Sequence, residues 1–224
     1  MTVLGRFSAA ARQVMTLADT EAERLRHEYI GPEHVLAGLA RLTGSGAARI
    51  LAASGLTGEA VSAALDAQVG AGLLPGPGRN QADLLRRLGI DLGQVRQASE
   101  ASFGPEAVAA ASRRSAGRTW WGSRRTACSG PLAGKAMLAK RAFELAAEEA
   151  SRAGQPDVRP EHLLLGVLRD AQQPAKLSPR LRQARARLGV PAGGVSPVRL
   201  IAEASGSSLD ALQARVAAVV RVAG

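Results

Sequence analysis

The stretch "YIGPEHVLAGLAR" at residues 29–41 returns as "DVRPEHLLLGVLR" at residues 157–169. In both copies Pro-Glu-His leads into an apolar run, and the physics of that order is the start of a helix. Proline has a helix-compatible φ and lacks an N–H that a first turn would leave unpaired, while the glutamate complements the positive end of the helix dipole. The residue before each proline, Gly31 or Arg159, is pushed out of the α region. The preceding "EYI" and "PDV" therefore read as short connections, and Leu36 and Leu39, matched by Leu164 and Val167, face a core.

Extended outward, residues 7–41 align with 135–169 at a constant offset of 128 without a gap, and twelve of the thirty-five positions are identical. Internal duplication is thus the first fact about the fold. Ala10, Val14, Leu17, Ala18, Ala22 and Leu25 fall on one face of a helix predicted over about 8–27, and Leu138, Ala142, Leu145, Ala146 and Ala150 repeat the stripe over 136–153. A second echo follows at an offset of 151, where "ILAASGLTGEAVSAAL" (50–65) corresponds to "IAEASGSSLDALQARV" (201–216). "LLRRLGIDLGQVRQAS" (84–99) keeps the same frame a third time. Each reads as a helix closed by a glycine (Gly55, Gly89, Gly206), a polar cap and another helix. The change of offset places an insertion of 23 residues in the second copy, in the proline-rich stretch after Arg169.

With 224 residues and 46% hydrophobic content the chain can bury one large or two small cores, and an aromatic content of 3% favours helices packed through small and aliphatic side chains. The fold class expected is all-α: two pseudo-repeated four-helix units joined by a long basic linker. The boundaries read as 1–70 for the first unit, 71–111 for an additional helical hairpin, 112–134 for the linker, which contains Trp120 and Trp121, and 135–224 for the second, degenerate unit. No window holds eighteen uninterrupted apolar residues and the N-terminus does not resemble a signal peptide, so a cytoplasmic protein with no membrane partner is expected. The single cysteine, Cys128, forms no internal disulfide and makes a poor metal ligand.

The formal charge of +10 is concentrated in two acid-free stretches, 107–143 and 171–202, read as a solvated linker and an exposed insertion. "HEYIGPEH" (27–34) does not meet the zinc-protease spacing H-E-x-x-H, which needs histidine where Gly31 stands. His34 and His162 fall in helix first turns, where local hydrogen bonding is the reading. No catalytic residues, metal or cofactor are expected, and no G-x-x-x-x-G-K-[ST] loop occurs in these residues.

The opening "RFSAAARQVMTLADTEAERLRHEYIGPEHVLAGLAR" resembles the Clp N-terminal (Clp repeat) domain, the front module of Clp-type AAA+ unfoldases. Phe7, Ser8, Arg12, His27, Tyr29, Ile30, Gly31, Glu33 and His34 carry the resemblance, with Pro32 in place of the usual threonine. The second unit matches more weakly, with Lys135 and Ala136 at the opening pair and no His-x-Tyr element. The resemblance implies a non-enzymatic binding module that acts as an adaptor, ligand-capturing protein or decoy in Clp-dependent proteolysis. Its implied partners are a Clp-family AAA+ unfoldase or that unfoldase's substrates and adaptors, phosphoarginine proteins and cyclic peptides. The site it implies comprises Phe7, Ser8, Arg12, Glu33 and His34, with Glu161 as the second unit's lone counterpart. A carboxylate would take the guanidinium of phosphoarginine, and a hydroxyl with helix N–H groups its phosphate. The alternative is a helix-turn-helix regulator at "IAEASGSSLDALQARV", with Ile201 and Ala202 before Gly206 and Leu212 and Val216 after it. The occurrence of the same frame at 50–65 without a basic second helix weighs against that alternative and against nucleic acid as a partner.

Overall fold

A computed structural model describes residues 3–76, 89–109, 135–173, 179–188, 190 and 195–222. After a 3₁₀ turn at Val3–Arg6, the first copy supplies α1 (Ala9–Arg24), β1 (Tyr29–Ile30), α2 (Pro32–Arg41), α3 (Gly46–Ala52) and α4 (Gly58–Gly70). A further helix, α5 (Leu92–Phe103), follows. The second copy supplies β2 (Ala136–Met137), α6 (Lys140–Arg152), α7 (Pro160–Gln172), the inserted α8 (Pro179–Arg187), α9 (Pro197–Ala204) and α10 (Leu209–Val222). Two compact units emerge, one of residues 1–76 with 137–224 and one of 77–136. Both repeats thus share a single body.

Within that body the packing has a pseudo-two-fold pattern. Helix α1 packs on α2 as α6 packs on α7, α4 on α2 as α10 on α7, and α3 on α2 as α9 on α7. The central α2 and α7 pack on each other, and the hairpins cross over, α3 onto α10 and α4 onto α9. Neither repeat therefore completes its core alone.

The matched residues now have physical roles. A Cβ on Gly38 would lie 2.4 Å from the Val14 carbonyl oxygen, and one on Gly166 would lie 2.2 Å from that of Ala142. The repeated glycine lets the first two helices of each copy cross backbone to backbone. Across the same crossing Glu21, fully buried, pairs with Arg24 at 2.7 Å and Arg41 at 2.9 Å, and Glu149 pairs with Arg152 at 2.5 Å and Arg169 at 2.6 Å. These charged identities are a clamp used twice. The three glycines predicted to end helices all adopt positive φ, 75° at Gly55, 80° at Gly89 and 73° at Gly206. Thr57, Asp91 and Ser208 then cap the helices that follow, each accepting from a backbone N–H.

The all-α class holds with one short addition: β1 and β2 form a two-stranded ladder two residues long, and Phe7 bridges to Val158. This is the only departure from an all-α chain among the described residues. Two expectations need correction. First, α6 begins at Lys140 rather than near 136, so buried Leu138 belongs to the entering segment and donates its N–H to the Ile30 carbonyl at 2.9 Å. The cause is a missing cap: at the offset of 128 the counterpart of Ser8, which caps α1, is Ala136, which has no hydroxyl. Second, the basic stretches are not wholly solvated. Arg141 pairs with Asp170 at 3.2 Å and Phe143 is core. In the insertion, Arg185 is half-buried with its Nε fully covered. The predicted linker, with Trp120 and Trp121, lies outside the described residues.

Candidate functional site

The two tetrads build two junctions. In each, proline occupies the first helical position and the histidine two residues later turns back on the residue preceding the proline. His34 Nδ1 accepts the Gly31 N–H at 3.0 Å, and His162 Nδ1 accepts the Arg159 N–H at 3.0 Å. The histidine replaces the acidic half of a capping box, which confirms the local hydrogen-bonding role read from the sequence.

Beyond that shared device the junctions diverge. His27 Nε2 lies 2.8 Å from the Pro75 carbonyl and its Nδ1 lies 2.9 Å from His34 Nε2. A carbonyl only accepts, so His27 carries its proton on Nε2 and accepts at Nδ1. His34 then donates from Nε2 and accepts at Nδ1. A closed chain results: the Gly31 N–H to His34, His34 to His27, and His27 to Pro75. Tyr29 stacks on His27 with ring centroids 4.9 Å apart. Burial lowers the His27 pKa, which favours its neutral ring.

Glu33 closes the same junction. Its side chain is 2% exposed and folds over Gly31, where a Cβ would lie 2.2 Å from Glu33 Oε1. Only glycine leaves that space. Burial raises the Glu33 pKa, partly offset by a backbone hydrogen bond and by the charge of Arg185, and burial likewise pushes the Tyr29 phenol upward. The Tyr29 hydroxyl and the Glu33 carboxyl face each other, although neither the hydroxyl nor Glu33 Oε1 makes a hydrogen bond of ordinary geometry among the described residues.

In the second copy Arg159 stands where Gly31 does, its Cβ denies the inward fold, and Glu161 turns outward. Its Oε1 accepts the Ala47 N–H at 3.1 Å, in the first turn of α3. Gln155 replaces His27 at the constant offset, and His162 Nε2, buried, meets no partner among the described residues. A half-open pocket of about 220 Å³ lies here, lined by Arg49, Gln155, Arg159, Glu161, His162 and the α10 valines.

The remaining predicted site residues are distributed across these junctions. Ser8 donates its N–H to the Val158 carbonyl at 3.0 Å, so the start of α1 adjoins the second repeat's junction, and its Oγ caps α1 by accepting the Ala11 N–H at 3.1 Å. No hydrogen bond joins Ser8 to Glu33. Phe7 is core, edge-on to Phe143 with centroids 5.5 Å apart. Arg12 bonds the Phe7 carbonyl. Arg6, which the sequence reading passed over, fastens the same segment to the second repeat through the Pro156 and Gln155 carbonyls and Ser151. No local signal marked it, since its partners lie about 150 residues away. The described residues hold no cluster of His, Cys, Asp or Glu suited to a metal ion.

Residues 6–81 match the model of the Clp repeat (R) N-terminal domain. Residues 6–81 form a Clp repeat N-terminal domain. The chain is 31% identical over 172 residues to a probable ATP-dependent Clp protease ATP-binding subunit of Chlamydia pneumoniae, covering 76% of this chain and 14% of that protein. It is 41% identical over 70 residues to the negative regulator of genetic competence ClpC/MecB of Bacillus subtilis, covering 31% of this chain and 9% of that protein. The chain thus spans about a seventh or less of these relatives' length. The crystal structure of the N-terminal domain of the Clp protease-associated chaperone ClpD from Arabidopsis thaliana superposes with a TM-score of 0.52 at 16% identity, covering 100% of this chain and 98% of that one. That likeness is one of fold, and it extends the Clp repeat architecture over both copies.

The helix-turn-helix alternative is not supported. Leu212 and Val216 are buried, and α10 packs on α7 and α3 as α4 packs on α2 and α9. Its Arg215 bonds Ser54 Oγ at 2.9 Å. Among the described residues no helix is long and apolar enough to cross a membrane.

Proposed function

We propose that this chain is a non-catalytic docking module of a Clp-type proteolytic system, which captures substrates, adaptors or peptide ligands and acts as an adaptor or decoy. The observation that carries this reading is the Clp repeat match over residues 6–81 within a body whose two repeats complete each other. Support also comes from the pocket at the second junction, where charged groups face a concave surface without any assembly of nucleophile and base.

For phosphoarginine the geometry favours Glu161 over Glu33. A guanidinium arriving from solvent meets a half-buried carboxylate at Glu161, with the start of α1 adjoining, but a covered one at Glu33. Titration calorimetry of the full chain with phosphoarginine and with a Clp-directed cyclic peptide tests ligand capture, and pull-down with a Clp unfoldase tests docking. Saturable heat with one site per chain, lost in Glu161→Ala and kept in Glu33→Ala, is the expected result. No heat from either ligand, together with no unfoldase retained, overturns the reading.

A further inference from the structure

We infer that the pocket at the second junction binds an oxyanion, a carboxylate or phosphate group, between the His162 Nε2–H and the guanidinium groups of Arg49 and Arg159. This deepens the ligand-capturing reading of the second junction and rests on it for what bears the anion, while the anion site itself is tested separately.

The inference starts from a donor without an acceptor. His162 is 1% exposed, and its Nδ1 is committed to the Arg159 N–H. A neutral ring with Nδ1 accepting carries its proton on Nε2, and burial lowers the His162 pKa, which favours that neutral ring. The Nε2–H is therefore a buried donor of fixed direction, without a partner among the described residues, on a ring that lines the pocket. A buried donor left unpaired destabilises the site, so a matching acceptor is favoured there. In the first copy the same proton is satisfied internally by His27 Nδ1.

The charges around it point to the complementary group. Arg49 and Arg159 are exposed at the pocket, and neither side chain makes an ion pair or hydrogen bond among the described residues. At the repeat offsets their counterparts are Leu200 and Gly31, so both cations are additions to this junction only. The one opposing carboxylate, Glu161, is held by the Ala47 N–H, and the pocket keeps a net positive charge. An oxyanion placed here accepts from Nε2–H and takes charge-assisted bonds from planar guanidinium groups. Val219 and Val220 supply an apolar wall for the chain that bears it.

The protein has only three histidines, so side-chain ¹⁵N NMR of the full chain reads each junction separately. Titration with inorganic phosphate, and in parallel with acetate, at ionic strength held constant with chloride should shift the His162 Nε2 resonance saturably and leave His27 and His34 in place. The anion that saturates first assigns the source as phosphate or carboxylate. In an Arg49→Ala/Arg159→Ala double variant the half-saturation concentration should rise at least about tenfold, with unchanged His27 and His34 resonances showing that the fold is intact. A His162 resonance unmoved by both anions, or one that titrates identically in the double variant, overturns the proposal. An intact His162 titration in a chain that captures no unfoldase would leave the pocket standing and remove only the docking function.

Discussion

The two junctions, residues 27–34 and 155–162, begin with one backbone device and end in opposite states. Both start a helix with proline and close its first turn through a histidine Nδ1. The first is then sealed: glycine admits the Glu33 carboxylate beneath the backbone, and His27 consumes the remaining histidine proton. The second is open: the Cβ of Arg159 turns Glu161 outward, and Gln155 leaves His162 Nε2 without a partner among the described residues. The difference teaches that a duplicated motif can keep its architectural role in both copies while one or two flanking residues decide which copy faces a ligand.

The sharpest way to break this comparison is to truncate the histidines. His34→Ala removes a fully buried ring and strands both the Gly31 N–H and His27 Nδ1, for an expected loss of about 3 kcal/mol or more. His162→Ala removes an equally buried ring but strands only the Arg159 N–H and relieves the covered Nε2 donor, so its loss should be smaller by about 1–2 kcal/mol. Chemical denaturation of the two variants checks the ranking, and equal losses would show that the junctions are energetically alike.

The glutamates should differ in sign. Burial raises the Glu33 pKa, so at pH 7 the folded state carries a penalty for charge that the unfolded state does not. Glu33→Gln removes that penalty and should stabilise the protein at pH 7. Glu161→Gln weakens a charge-assisted bond to the Ala47 N–H and should destabilise by about 1 kcal/mol. Thermal midpoints moving in the same direction would contradict a sealed first junction.

The pH dependence follows from the same groups. His27 and His162 have folded pKa values lowered by burial, so the unfolded state binds more protons below the ordinary histidine value of 6.5. Their contribution is present above pH 6.5 and is lost as the pH falls toward the folded pKa values. Glu33 acts in the opposite sense, costing stability as the pH rises from its ordinary 4.5 through its raised folded value. Unfolding free energy measured between pH 4.5 and 7.5 should therefore rise more steeply in Glu33→Gln than in the parent chain. A parallel pair of curves would refute the assignment of Glu33.

The smallest expected effect sharpens the comparison from the other side. Gln155→His restores to the second junction the partner that His27 provides in the first, and should stabilise by about 0.5–1 kcal/mol. The same change should weaken oxyanion binding at His162, because the Nε2–H would then be consumed internally. A rise in stability without loss of anion binding would separate the donor from the pocket.

Much of the architecture was legible from local rules. The 128-residue offset, the apolar stripes, the Pro-Glu-His starts and the glycines of positive φ each depend on a few neighbouring residues, so a linear reading finds them. The late start of α6 was half legible: Ala136 in place of the capping Ser8 stands in the sequence, but the stripe at Leu138 looks helical until its pairing with Ile30 is seen. The role of Glu21, Arg24 and Arg41 was half visible: their recurrence as Glu149, Arg152 and Arg169 marked them, but not the helix crossing they clamp.

What the sequence determined by itself is therefore the helical class, the duplication and the helix starts, since each is written in steric and dipolar preferences within one or two turns of chain. What only the tertiary structure decided is which residues meet across repeats. Ser8 adjoins Val158, Glu161 caps the first turn of α3, and Phe7 packs on Phe143, all pairings between residues more than a hundred positions apart. The physical reason is that neither repeat can bury its own apolar faces. Their interlocking places the start of α1 beside the second junction, and the Cβ present at residue 159 but absent at residue 31 then determines which glutamate is sealed and which is open.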